Sequence, residues 1–107
     1  MDFFCVDDLP AVEMLPGLTR RAVWLENVMI TFFTFEPNTV IPAHAHPHEQ
    51  ITYVVEGALE FTLGGETRLL RSGEGVCIPL AVQHGARVLD EPAFVLDAWH
   101  PPREDYR

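Results

Sequence analysis

Apolar and polar residues alternate along much of this 107-residue chain, with the two-residue period of β-strands that bury one face. In Leu59-Glu60-Phe61-Thr62-Leu63 every second residue is apolar, and the run meets Gly64-Gly65 before resuming at Glu66. A Gly-Gly pair tolerates the positive φ of a tight hairpin, so these residues predict a strand, a two-residue loop and a returning strand. In Ala93-Phe94-Val95-Leu96-Asp97-Ala98-Trp99 the same period puts Val95, Asp97 and Trp99 on one face. Strand-like runs recur over 21–26, 28–36, 39–43, 50–56, 58–63, 66–70, 75–79, 84–89 and 93–100, mostly with turn residues between them. No comparable window has a 3.6-residue apolar period. The pattern predicts an all-β fold of antiparallel sheets, a sandwich or small barrel, over residues 20–107. Residues 1–19 carry Pro10, Pro16 and Gly17 and read as an extended arm with at most one helical turn, lying on the barrel or on a partner.

Composition sharpens this picture. Hydrophobic residues make up 48% of the chain and are interrupted by 9 Pro and 7 Gly, a mixture suited to short strands and frequent turns. The length suits one domain with one core. Sixteen acidic residues against 7 basic ones give a net charge of -9, with no basic stripe to follow phosphates, which argues against nucleic acid. The same negative field repels an anionic small molecule, so an acidic substrate would need a cation inside its site. Cys5 and Cys77 are too far apart in sequence for a disulfide framework or a closely spaced zinc pair. With no basic lead, no signal-like apolar stretch and no run of about 18 apolar residues, the reading expects no membrane span and a reducing, cytoplasmic setting.

The histidines bring in chemistry. His44-Ala45-His46 places two imidazoles at i and i+2 of an extended segment, on one face and about 7 Å apart at the backbone, so both can reach one ion. Gln50 follows past Pro47. A second stretch, Gly73 to His84, reads as a turn, a short strand, a break at Pro79 and a histidine on the next strand. Together, Pro42–Gly57, ending in Tyr53-Val54-Val55-Glu56-Gly57, and Gly73–His84 resemble the paired motifs of the cupin superfamily. The resemblance covers roughly residues 40–90 and implies a single cupin β-barrel of jelly-roll type. It also implies one divalent metal ion, with Ni, Zn, Fe and Mn all open, on His44, His46, Gln50 and His84. The pattern usually has Glu where this chain has Gln50; a neutral amide oxygen leaves the ion its full double charge. Glu49 is the rival ligand, one position early for the motif. His48 reads as an exposed turn residue, and His100 has no motif behind it. Cys77 reads as a small buried hydrophobe, and Trp24 and Tyr53 as core or interface aromatics.

The chain continues Asp97-Ala98-Trp99-His100-Pro101-Pro102-Arg103, where the Pro-Pro turn can bring Arg103 back over the barrel mouth. This tail, with the His-Ala-His-Pro-His-Glu-Gln block, resembles the KdgF-type cupins of pectin and alginate degradation. That resemblance implies a metal-dependent, isomerase-like enzyme that linearises 4,5-unsaturated uronates, with Asp97, Trp99 and Arg103 implicated in activity. Trp99 stands where the family typically has Phe. The substrate expected is an anionic sugar acid. A cupin dioxygenase and a non-catalytic metal or sugar-acid binder stand as alternatives. A homodimer is expected, with residues 3–18 buried against the second copy.

Overall fold

The computed structural model describes residues 3–107. Ten strands follow in order: β1 (Val12–Leu15), β2 (Leu18–Trp24), β3 (Met29–Phe35), β4 (Val40–His44), β5 (Glu49–Glu56), β6 (Ala58–Leu63), β7 (Glu66–Arg71), β8 (Gly75–Ile78), β9 (His84–Arg87) and β10 (Ala93–His100). Short 3₁₀ turns at Val6–Asp8 and Glu104–Tyr106 are the only helical elements among the described residues. The strands form a six-stranded sheet, β1-β2-β3-β10-β5-β8, facing a four-stranded sheet, β4-β9-β6-β7. All pairings are antiparallel.

The expected hairpin forms as read: Leu63 pairs with Glu66 across Gly64-Gly65, and Gly64 has φ 57°. Two expectations change. No strand pairing joins the two sheets among the described residues, so the barrel is a two-sheet jelly roll without a closed hydrogen-bonded ladder. Closure fails because the chain changes sheets at each of six connections, between β3 and β6 and again between β7 and β10. Their Pro and Gly residues bend the chain at the sandwich edge instead of extending a ladder. Second, pairing starts before residue 20. β1 is an edge strand on β2, and the 19/20 boundary falls inside β2. Gly17 makes the turn with φ 88°, a conformation that suits glycine, and a Cβ there would strike Thr39 Oγ1.

Side chains from both inner faces meet in one core that includes Leu18, Phe33, Phe35, Val54, Leu59 and Phe61. Each such burial contributes roughly 1.5–3 kcal/mol relative to exposure. On the outer face of the larger sheet, Phe4 packs on Phe32 with ring centroids 6.1 Å apart, and Arg21 Nε donates to the Leu9 carbonyl at 3.3 Å. The segment before β1 therefore lies over that face. Trp24 and Tyr53 are each 45% exposed, outside the core, and Cys77 is exposed rather than buried.

Candidate metal centre and its cavity

Both sheets contribute to one cluster. His44 ends β4 and pairs directly across from His84, the first residue of β9, with ring centroids 4.4 Å apart. Gly85 permits that approach, since a Cβ there would stand 3.0 Å from the Ile41 carbonyl and 3.1 Å from the Ala43 nitrogen. His46, just past β4, turns its ring to within 4.9 Å of His84. The ligand atoms of these three histidines lie within 4.8 Å of one another. Gln50 reaches the cluster from β5 in the opposite sheet, where β5 alternates buried and exposed; that alternation leaves Glu49 exposed.

The tautomers follow from hydrogen bonding. Nδ1 of His44 lies 2.9 Å from the Pro42 carbonyl, Nδ1 of His46 3.2 Å from that of His48, and Nδ1 of His84 2.9 Å from that of Val82. A carbonyl can only accept, so each Nδ1 carries the hydrogen and each neutral ring keeps a bare Nε2. Burial lowers the pKa of His46 and of His84, which favours the neutral rings. His84 Nε2 is buried without a partner among the described residues. Gln50 Nε2 donates to Thr52 Oγ1 at 2.9 Å, which turns its carbonyl oxygen toward His46 Nε2, also at 2.9 Å. Two acceptors that close call for a cation, and ligands at right angles with bonds of about 2.0–2.2 Å stand about 3 Å apart. Imidazoles whose second nitrogen is held by a carbonyl are the usual metal-binding arrangement. Three bare Nε2 atoms and one amide oxygen thus suit a divalent ion.

Beside this cluster a cavity of about 380 Å³ lies between the sheets, lined by His44, Gln50 and His84 at one end. Asp97 and Trp99 enter it from the inner face of β10, and Arg103 from the tail. Asp97 is buried and pairs in register with Thr31 and Thr52. Its Oδ1 lacks a hydrogen-bond partner among the described residues. Burial pushes its pKa up to about 7, against the opposing influence of Thr52 and Gln50. Trp99 commits its indole N–H to Thr31 Oγ1 at 2.9 Å and offers its ring as a wall 5.1 Å from His46. The Arg103 guanidinium sits 5.1 Å from the Trp99 ring and 4.1 Å from that of Tyr106. Its Nε and Nη2 donate to Asp105 at 3.1 and 2.8 Å.

His48 differs from its reading as an exposed turn residue: it is half-buried, its ring packs against His46 and Trp99, and its Nδ1 has no partner among the described residues. His100 is exposed. The sequence reading passed over Arg20, Thr31, Thr52 and Tyr106. The two threonines carried a signal, as polar residues at inward positions of predicted strands; Tyr106 lay in a tail without periodicity.

A jelly roll whose three-histidine cluster in one sheet is met by an amide from the other defines a class, and the cupin domain model matches residues 31–99, so the chain belongs to the cupin family. One relative is the pectin degradation protein KdgF of Dickeya dadantii (strain 3937), 29% identical over 97% of this chain and 96% of its own length. Two solved structures cover the whole chain. An RmlC-like cupin from Shewanella frigidimarina NCIMB 400 has a TM-score of 0.94 at 27% identity, with 96% of that chain covered. KdgF from Halomonas sp. has a TM-score of 0.93 at 33% identity, with 99% covered.

Proposed function

We propose that this cupin is a metal-dependent enzyme that opens 4,5-unsaturated uronates to their 5-keto-4-deoxy form. The observation that carries the reading is a buried carboxylate, Asp97, in the same cavity as the histidine and Gln50 donors. Full-length likeness to two KdgF proteins supports the choice of substrate. In this reading His44, His46, Gln50 and His84 would hold a divalent ion, and the chemistry it would supply when bound is Lewis-acid polarisation of a sugar oxygen.

The reaction needs no redox partner and no net water. The C1 hydroxyl gives its proton to Asp97 as the bond from C1 to the ring oxygen breaks, leaving an aldehyde at C1 and an enolate at C5. Asp97 then returns the proton to C4 and the enolate becomes a ketone. A carboxyl group with a pKa near 7 is suited to both transfers at neutral pH, which supports Asp97 as general base and then acid. Trp99 forms a wall against water. Arg103 orients the substrate carboxylate with the N–H groups that Asp105 leaves free.

The test is decay of the ultraviolet absorbance of the C4–C5 double bond, followed with freshly made unsaturated galacturonate and metal-loaded protein. Wild type should exceed the uncatalysed rate. Asp97→Ala should lower turnover about 10²- to 10⁴-fold while metal stays bound; full turnover in that variant rejects the role. By elemental analysis, His84→Ala should lose the ion and Glu49→Ala should keep it.

One observation favours a second reading, a cupin dioxygenase acting on an aromatic substrate: beyond the donor cluster the cavity walls are largely apolar, with Leu18, Phe33, Leu59 and Phe61 among them. Oxygen uptake with an aromatic hydroxyketone, abolished anaerobically, would support it, whereas uronate turnover without oxygen excludes it.

A further inference from the structure

Arg20 is a buried cation that nothing neutralises. It sits on the inner face of β2, two residues from core Leu18, and is only 9% exposed. No carboxylate lies within ion-pair distance among the described residues. Its one hydrogen-bond acceptor there is the thioether of Met14, 2.9 Å from Nη1, and its guanidinium lies 4.4 Å from the centre of the Tyr106 ring. A sulfur and an aromatic face are weak acceptors that leave the charge in place. Burying such a charge is costly, and a fold that keeps one without a structural partner calls for a role in recognition.

The surroundings indicate what Arg20 recognises. Met14 and Tyr106 both line the cavity, so the guanidinium stands one side chain behind its wall. Methionine is flexible and can turn aside for a ligand. Arg103, the other arginine here, has its charge matched by the two-point pair with Asp105. Arg20 is thus the arginine at this cavity whose charge no carboxylate among the described residues matches, within a chain of net charge -9.

We propose that Arg20 is the charge-selecting residue of the cavity, favouring ligands that carry a carboxylate over their neutral counterparts. The inference rests on the uronate reading only for its choice of probe. Calorimetry on metal-loaded protein compares galacturonate with its methyl ester. Wild type should prefer the acid by about ten- to a hundredfold. Arg20→Met should lose that preference without losing thermal stability, and Arg20→Lys should keep most of it. A purely structural role for Arg20 predicts equal weakening of acid and ester together with a lower unfolding midpoint.

The proposal is overturned if wild type does not prefer the acid, or if the preference survives in Arg20→Met. Should Arg20→Met fail to fold, Arg20→Gln makes the same comparison. The turnover assay stays independent: an Arg20-dependent preference in a protein that leaves unsaturated galacturonate intact rejects the proposed reaction and keeps the charge selection.

Discussion

At the scale of single residues, the cavity concentrates groups whose hydrogen bonding is incomplete. His84 Nε2 and Asp97 Oδ1 are both buried without partners among the described residues. Asp97 has a thermodynamic consequence. Its folded pKa of about 7 lies above the unfolded value, so between roughly pH 4 and 7 the unfolded chain releases a proton that the folded chain retains. Stability of the metal-free protein should therefore fall as pH rises through that window and level off above it. Asp97→Asn removes the effect. In urea unfolding of chelator-treated protein, the variant should exceed wild type by about 3–4 kcal/mol at pH 8, with the gap closing by pH 4. A gap that widens toward acid would contradict this environment for Asp97. Arg20 shows why some of the site escaped the sequence reading. Its inward position follows from the Leu18-Thr19-Arg20 alternation, but the strand run was started at Arg21, and a charged residue beside Pro16-Gly17 reads as loop.

At the scale of elements, the strands with clean alternation were legible. Runs 58–63 and 93–100 coincide with β6 and β10, and Val95, Asp97 and Trp99 share one face as expected, the buried one. β1 was not legible, because Val12-Glu13-Met14-Leu15 is short, lacks strict alternation and depends on pairing with β2 at a sheet edge. Likewise the spacing from His46 to Gln50 follows the family motif, while its physical basis, facing strands of two different sheets, is visible only in the fold. The junction of β4 with β9 offers a test. Gly85→Ala adds a methyl group against the backbone of Ile41 and Ala43, forcing β9 away from β4 and His84 away from His44. Thermal unfolding should show a loss of about 1–3 kcal/mol. Metal competition should show weaker affinity in the same variant, whereas unchanged affinity would mean that the two strands tolerate separation.

At the scale of the whole molecule, the outer face of the larger sheet carries apolar residues that its own chain covers only in part. Phe4 shields Phe32 on β3, while on β5, beyond the intervening β10, Ile51 remains 54% exposed and Tyr53 45% exposed. We propose that a second copy covers this face. Sedimentation at micromolar concentration should give a dimer mass, and Ile51→Glu with Tyr53→Lys should shift it to a monomer without unfolding. A monomeric wild type sinks the proposal. Among the described residues no helix is long and apolar enough to cross a membrane.

The two sheets share side-chain packing and connecting loops but no ladder, and the donor cluster draws His44 and His84 from one and Gln50 from the other. An ion gripped by that cluster would rivet the layers together at their open end. Loading should then slow amide exchange across β4, β5 and β9 together, and chelation should let that end of the sandwich breathe while the far end, at Gly57, Ser72 and Gly73, stays as it was.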